Sequence, residues 1–262
     1  VDEAHHLEDA STNALSYRVT QADIERMFDE LGGTNNGNLG QLLAALSNQI
    51  KPSEYSAIAK VIEKATDLVF RAQARFRDFF KSIEEFLSQE RNGNEVGDYG
   101  QQVRVMSSTQ HQPIWDDVMI AWDEVAEPLD ALQRTLTGLI NGLTDQETGN
   151  ANEQVESVLG ELSSIAHNIQ EMHNNIHAMV SELDSNTIYW IELDSKYNRL
   201  SLNFAPLEIG PLMEKYLWHT KESVVITSAT LTANNNFDYI RARLNADEAD
   251  ELILGSPFDY EN

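Results

Sequence analysis

Cysteine is missing from all 262 residues. Its absence excludes a disulfide framework and a thiolate metal site, and within this stretch it excludes the ligand set of an iron–sulfur cluster. Long apolar runs are missing too. None approaches the length that crosses a bilayer, and the first residues do not read as a secretory leader. No membrane partner is expected, and a cytoplasmic location is. Positive charge is scarce: 18 Lys and Arg stand against 43 Asp and Glu, a formal net charge of -25. Such a surplus favours solubility and repels phosphate backbones, so composition alone speaks against a dedicated binder of polyanions. An initiator Met is also absent. Val1-Asp2-Glu3-Ala4-His5 reads as the end of a buried strand, as expected of a segment from within a longer protein.

What is present suffices for a folded core. Apolar residues make up 41%, with four Trp, nine Phe and eight Tyr, enough for one large domain or two small ones. Thr20 ahead of Gln21-Ala22-Asp23-Ile24 predicts an N-cap and a helix that ends near Gly32-Gly33. Residues 34–40 read as a polar turn and 42–50 as a short apolar helix. Pro52-Ser53-Glu54 marks the next helix start.

A regular pattern follows. Ile58, Ile62, Ala65, Val69, Ala72, Phe76, Phe79, Ile83 and Phe86 recur in steps of four and three. Val118, Ala121, Val125, Leu129, Leu132, Leu136 and Leu139 form a less regular stripe. Val155, Val158, Leu162, Ile165, Ile169, Met172, Ile176, Met179 and Leu183 form a third. A period of 3.5 keeps one seam of a long helix against its partner, as coiled-coil-like packing requires. Three helices of about 30 residues, each about 45 Å long, therefore predict a mainly α fold built on an elongated antiparallel bundle. Turn chemistry at Arg91-Asn92-Gly93-Asn94 and at residues 145–152 joins them, and Gln101-Gln102-Val103-Arg104-Val105 reads as a short strand.

Beyond Asp184 the pattern changes to that of strands. Ile188-Tyr189-Trp190-Ile191-Glu192-Leu193 and Leu200-Ser201-Leu202-Asn203-Phe204 suit a small β-hairpin. A helix over 211–218, a buried parallel strand over 223–228, a helix over 237–244 and a strand over 251–254 would form a partial α/β segment.

Two short boxes carry chemistry. At the start, Asp2-Glu3-Ala4-His5 places two acids at a strand end. Nucleotide hydrolysis needs one acid for the Mg²⁺ that bridges phosphates and a second for the attacking water. Far downstream, Val225-Ile226-Thr227-Ser228-Ala229-Thr230-Leu231 is an apolar run ending in small hydroxyl residues. Together with Tyr189-Trp190-Ile191-Glu192, Ala205-Pro206-Leu207 and Leu254-Gly255-Ser256-Pro257-Phe258-Asp259-Tyr260, in this order, they resemble the DinG/XPD-type superfamily 2 ATP-dependent DNA helicases. In that family Asp-Glu-Ala-His is motif II (the DEAH box) and the second box is motif III. A helical insertion, the Arch domain, lies between them.

The resemblance implies residues 1–8 as a stub of a RecA-like motor domain, 9–186 as the Arch, and 187–262 as the return to the motor and the start of the link to a second motor domain. It implies a whole enzyme that uses ATP and Mg²⁺ to move 5′ to 3′ on single-stranded or forked DNA, with the remainder of the motor as partner. Asp2 would bind Mg²⁺ through water, Glu3 would activate the attacking water, and His5 would couple to Ser228 and Thr230 within the box Thr227 to Thr230. Iron–sulfur cysteines, in members that have them, would lie upstream.

The departures matter equally. Gly32 to Leu39 offers Gly-x4-Gly, but Asn38 and Leu39 stand where a phosphate-binding loop needs Lys and a hydroxyl. This segment alone is not expected to hydrolyse ATP, and its detached ends are expected to be partly exposed. His167, His173 and His177 share one helix, the last two at i, i+4, yet no acid or thiol in sequence completes a metal site, so solvated faces are favoured. Arg71, Arg75, Arg77 and Lys81 form the densest basic cluster. They could touch a DNA backbone, though salt bridging to neighbouring acids is favoured. A different reading stays open: a non-catalytic acidic helical module that binds a basic partner.

Overall fold

A computed structural model describes residues 1–47, 49–98, 100–144, 153–197, 199–233 and 235–255. After a 3-10 turn at Ala4–His6, the elements in chain order are α1 (Leu7–Leu15), β1 (Tyr17–Thr20), α2 (Gln21–Leu31), α3 (Gly37–Leu46), α4 (Pro52–Glu90), β2 (Gln101–Val105), α5 (Ser107–Gln110), α6 (Pro113–Thr144), α7 (Glu153–Val180), β3 (Thr187–Asp194), β4 (Arg199–Pro206), α8 (Gly210–Met213) and α9 (Asp238–Leu244). A π-helical turn, Glu214–Trp218, continues α8. Two compact units result. Unit 1 comprises residues 1–17, 185–188 and 204–262, and unit 2 comprises 18–184 and 189–203. The expected loop at 145–152 and most of the expected link at 254–260 lie outside the described residues.

Unit 2 is built on α4, α6 and α7. Along α4 the seam Ile62, Ala65, Val69, Ala72, Phe76, Phe79, Ile83 and Phe86 is buried, and Ile58 is half-buried. Along α7 the buried seam runs from Val155 to Met179, while Leu183 falls beyond the helix end. On α6 the structure corrects the stripe. Trp122 takes the buried place that spacing gives to Ala121, and Trp115 extends the seam. The sequence Trp115, Val118, Trp122, Val125, Leu129, Leu132, Leu136, Leu139 then alternates three and four throughout, the spacing that keeps a seam facing its partner. Ring contacts show α4 and α6 to be antiparallel: Phe86 meets Trp115 at 5.0 Å, and Phe79 meets Trp122 at 5.4 Å. Trp115 Nε1 donates to Val180 O at 3.1 Å, which ties the start of α6 to the end of α7.

Local signals set the shorter elements. Thr20 Oγ1 accepts from Asp23 N at 3.2 Å and Asp23 Oδ2 accepts from Thr20 N at 3.0 Å, a full capping box for α2. The helix expected over 42–50 instead spans Gly37–Leu46. Gly32 and Gly37 both take positive φ, and a Cβ on Gly32 would stand 2.2 Å from Asn36 O. The glycines that read as loop therefore make a reversal so tight that the helix starts at its second glycine. The same geometry makes residues 32–36 a helix–helix turn, with Asn38 and Leu39 already inside α3.

The four strands form one sheet in the order β1-β4-β3-β2. β2 pairs antiparallel with β3, with Arg104 opposite Trp190 and Val105 opposite Tyr189. On β3 the residues Tyr189, Ile191 and Leu193 face the core.

Unit 1 has its own small core of Ile209, Met213, Ile240 and Leu244, with Leu7, Trp218, Ile226 and Phe237 packed around it. Here two expectations fail. Residues 223–228 form no regular strand, and Val225 is 71% exposed. Residues 251–254 are likewise irregular, with Leu252, Ile253 and Leu254 exposed. An apolar run becomes a buried strand only when other layers cover both of its faces. Among the described residues only one side of 223–228 is covered, through Ile226.

Candidate functional site

Backbone pairing brings the two boxes together within unit 1. The Val1 amino group donates to Val225 O at 2.7 Å, and Thr227 N donates to Val1 O at 2.9 Å. This alternation is that of a parallel pair. Glu3 then turns into left-handed backbone (φ 51), which is uncommon for a residue with a Cβ. The turn ends the extended run, and Ala4 N closes the pairing by donating to Thr227 O at 2.9 Å.

Side chains meet above this pairing. Thr227 Oγ1 donates to Asp2 Oδ1 at 2.7 Å, and Glu3 N donates to the same oxygen at 2.9 Å. The Thr227 hydroxyl, followed by the Glu3 amide, holds the Asp2 carboxyl below its usual range, because both bonds favour the charged form. His5 Nδ1 lies 2.8 Å from Ser228 Oγ and 3.2 Å from Glu3 Oε2. A carboxylate only accepts, so a proton on His5 Nδ1 serves that contact. Ser228 Oγ also donates toward Glu3 Oε2 at 3.5 Å and accepts from Thr230 N at 3.3 Å. Thr230 thus reaches the cluster through its backbone, and Ala229 is exposed beside it. Glu3 is 65% exposed, open to a ligand on its outer side.

Sequence reasoning missed the contact that braces this site. Arg243 on α9 donates through Nε to Glu8 Oε1 on α1 at 2.8 Å. The bond to Glu8, then its charge, raises the Arg243 pKa further. The partners are 235 residues apart, so no spacing rule could have joined them. The pairing of Thr227 with Asp2 was equally out of reach.

The other candidates lie in unit 2. Arg71 pairs with Glu127 at 3.1 Å, Arg75 with Glu124 at 2.8 Å, Arg77 with Glu25 at 3.6 Å and Lys81 with Glu85 at 3.6 Å. All four are engaged with acids. His177 Nδ1 accepts from Trp122 Nε1 at 3.2 Å, and His173 Nε2 lies 3.5 Å from Asp130. The rings of His173 and His177 stack at 5.9 Å. Among the described residues no three ligand-type side chains are arranged to hold a metal directly, and His167 joins neither contact. No helix among the described residues is long and apolar enough to cross a membrane.

No family model matches the chain. Curated relatives match parts of it. It is 35% identical over 72 residues to the ATP-dependent DNA helicase YoaA of Escherichia coli, which covers 28% of this chain and 11% of that protein. It is 35% identical over 82 residues to the 3′-5′ exonuclease DinG of Bacillus subtilis, 30% of this chain and 9% of that protein. It is 38% identical over 64 residues to the ATP-dependent DNA helicase DinG of Photobacterium profundum, 23% of this chain and 9% of that protein. The matched stretch spans about a tenth of each relative. Over between 23% and 30% of its length, this chain is similar to proteins named DinG and YoaA, two of them ATP-dependent DNA helicases and one an exonuclease.

Proposed function

We propose that the chain is an internal segment of an ATP-dependent DNA helicase of the DinG/XPD type. Residues 1–8 and 187–262 would belong to its first motor domain and 9–186 to its Arch. The observation that carries this reading is the cluster in which Asp2, Glu3 and His5 meet Thr227 and Ser228 across more than two hundred residues of intervening chain. The whole enzyme would use ATP to move 5′ to 3′ on single-stranded or forked DNA, with the Arch guiding or separating strands. The remainder of the motor would be its partner.

The residues fit a water-mediated Mg²⁺. The Thr227 hydroxyl favours the charged form of Asp2, and one exposed carboxylate is what an ion that keeps its waters and takes phosphates as ligands requires of the protein. Bound there, Mg²⁺ would neutralise charge on the nucleotide phosphates. Glu3 would accept the proton of the attacking water. His5, bridging Glu3 and Ser228, would report the state of that site to the box from Thr227 to Thr230.

The test is single-stranded-DNA-stimulated ATPase of the intact protein beside its Glu3→Gln variant. A fall of about 100-fold or more is expected, the scale of a lost general base. Equal rates in both would remove Glu3 from catalysis. No activity in either, with DNA and Mg²⁺ supplied, would favour a non-catalytic acidic module with a basic partner, which the net charge of -25 suits.

A further inference from the structure

The basic cluster most apparent in the sequence is occupied by acids, so any contact with a phosphate backbone must come from cations that are not. Four cations with no ion pair among the described residues lie on one surface of unit 2, apart from Lys60, Lys64 and Arg134 on the long helices. Alternation of side chains along a strand assigns each residue of the sheet to a face. The core face holds Leu200, Leu202 and Phe204 of β4 with Tyr189, Ile191 and Leu193 of β3. Tyr17 of β1 meets Phe204 at 5.7 Å and so lies on that face too. The opposite face therefore carries Arg18 of β1, Arg199 of β4, Trp190 of β3 and, directly opposite Trp190, Arg104 of β2. The three arginines are exposed and Trp190 is half-buried. Thr20, Ser201 and Asn203, which alternation assigns to the same face, are buried, so the open part of this face lies at its four cations, Trp190 and the turn.

The β3–β4 turn extends this face. Tyr197 is 65% exposed, with Lys196 Nζ 5.1 Å and the Arg199 guanidinium 6.0 Å from its ring centre. Asp194 Oδ1 accepts from the backbone N of Lys196 and of Tyr197, each at 2.8 Å, and Ser195 Oγ donates to Asp98 O at 2.7 Å. These bonds tie the backbone of Lys196 and Tyr197 to Asp194, and Ser195 to Asp98. None of Arg18, Arg104, Lys196 and Arg199 forms an ion pair among the described residues, although Glu192 and Asp194 share the face.

We propose that the outer face of this sheet and its β3–β4 turn form a platform for single-stranded DNA. Tyr197 and Trp190 would be the stacking surfaces, and Arg18, Arg104, Arg199 and Lys196 the phosphate contacts. The choice of this ligand rests on the function proposed above. Its chemistry rests on the surface. Planar guanidinium groups match phosphate oxygens, and exposed rings accept unstacked bases of any sequence. A duplex keeps its bases stacked and offers such rings nothing. The acid surplus elsewhere on the chain does not forbid binding, because exposed charges farther than about 14 Å are largely screened at about 50 mM salt.

The test uses the 262-residue chain without ATP and a fluorescent oligothymidine of about twelve nucleotides, with binding read by anisotropy across a salt series. The parent chain is expected to bind at about 50 mM salt. The Arg18→Ala/Arg104→Ala/Arg199→Ala variant should bind at least about 20-fold more weakly. The slope of log K against log salt should shrink by about 2, since each lost contact on a single strand removes about 0.7. Tyr197→Ala, at an exposed turn, should weaken binding about 10-fold by removing one stacking surface. Arg71→Ala/Arg75→Ala should change nothing. The proposal is overturned if the parent does not bind, if the triple variant binds as the parent does while keeping its helical circular dichroism, or if polyglutamate competes as well as DNA. The last outcome would make the face a site for an acidic protein. Binding without any DNA-stimulated ATPase in the intact protein would sink the helicase reading and leave the platform standing. Loss of ATPase in Glu3→Gln with no effect of the sheet variants on binding would do the reverse.

Discussion

Replacing Trp122 with Phe tests the bundle at its most connected point. Trp122 is fully buried, with Phe79 at 5.4 Å, His173 at 5.5 Å and Phe76 at 6.3 Å between ring centres. Its Nε1 donates to His177 Nδ1 at 3.2 Å. Removing that donor leaves a half-buried acceptor unpaired, at a cost of about 1–2 kcal/mol. The smaller ring leaves a void costing about 1–2 kcal/mol more. Together about 2–4 kcal/mol should be lost, which for a unit of this size lowers Tm by about 4–16 °C. Urea unfolding followed by circular dichroism should show a lower midpoint with an unchanged slope, the sign of altered stability rather than altered compactness. A double-mutant cycle with His177→Leu should return a coupling of at least about 0.5 kcal/mol. Ala121→Ser, one residue away and off the seam, should cost less than about 1 kcal/mol. The reasoning fails if Trp122→Phe lies within about 0.5 kcal/mol of the parent, or if Ala121→Ser proves the more damaging of the two.

Two further outcomes follow from the geometry. Thr227→Val should return the Asp2 carboxyl toward its ordinary value of 3.8, because the Thr227 hydroxyl is the main cause of its depression. A depressed carboxyl stabilises the fold above its unfolded value and loses that contribution as pH falls through its folded value. The variant should therefore lose less than the parent does on acidification through that range, which an NMR titration of the Asp2 side chain would resolve. Gly32→Ala should cost more than about 2 kcal/mol, since a Cβ there meets Asn36 O at positive φ. Chemical denaturation would read that loss, and a neutral result would mean that the α2–α3 turn is looser than described.

Much of unit 2 was legible in the chain. Helical spacing is a local property: the seams of α4 and α7 and the Thr20–Asp23 capping box are set by residues within a few positions of one another. The two boxes of the site were legible as residue types in order, because strand-end acids and small hydroxyls form short continuous runs. Tertiary structure decided the rest. Whether Ala121 or Trp122 faces inward depends on the rings of α4 and the imidazoles of α7, which meet α6 only after folding. Whether residues 223–228 become a buried strand depends on layers that a short apolar run cannot supply for itself. The engagement of Arg71, Arg75 and Arg77 by acids of α6 and α2, and the lack of an ion pair at Arg18, Arg104 and Arg199 among the described residues, are likewise matters of which surfaces meet. Periodicity fixes the face of a residue on its own element, but only packing determines what lies across from it.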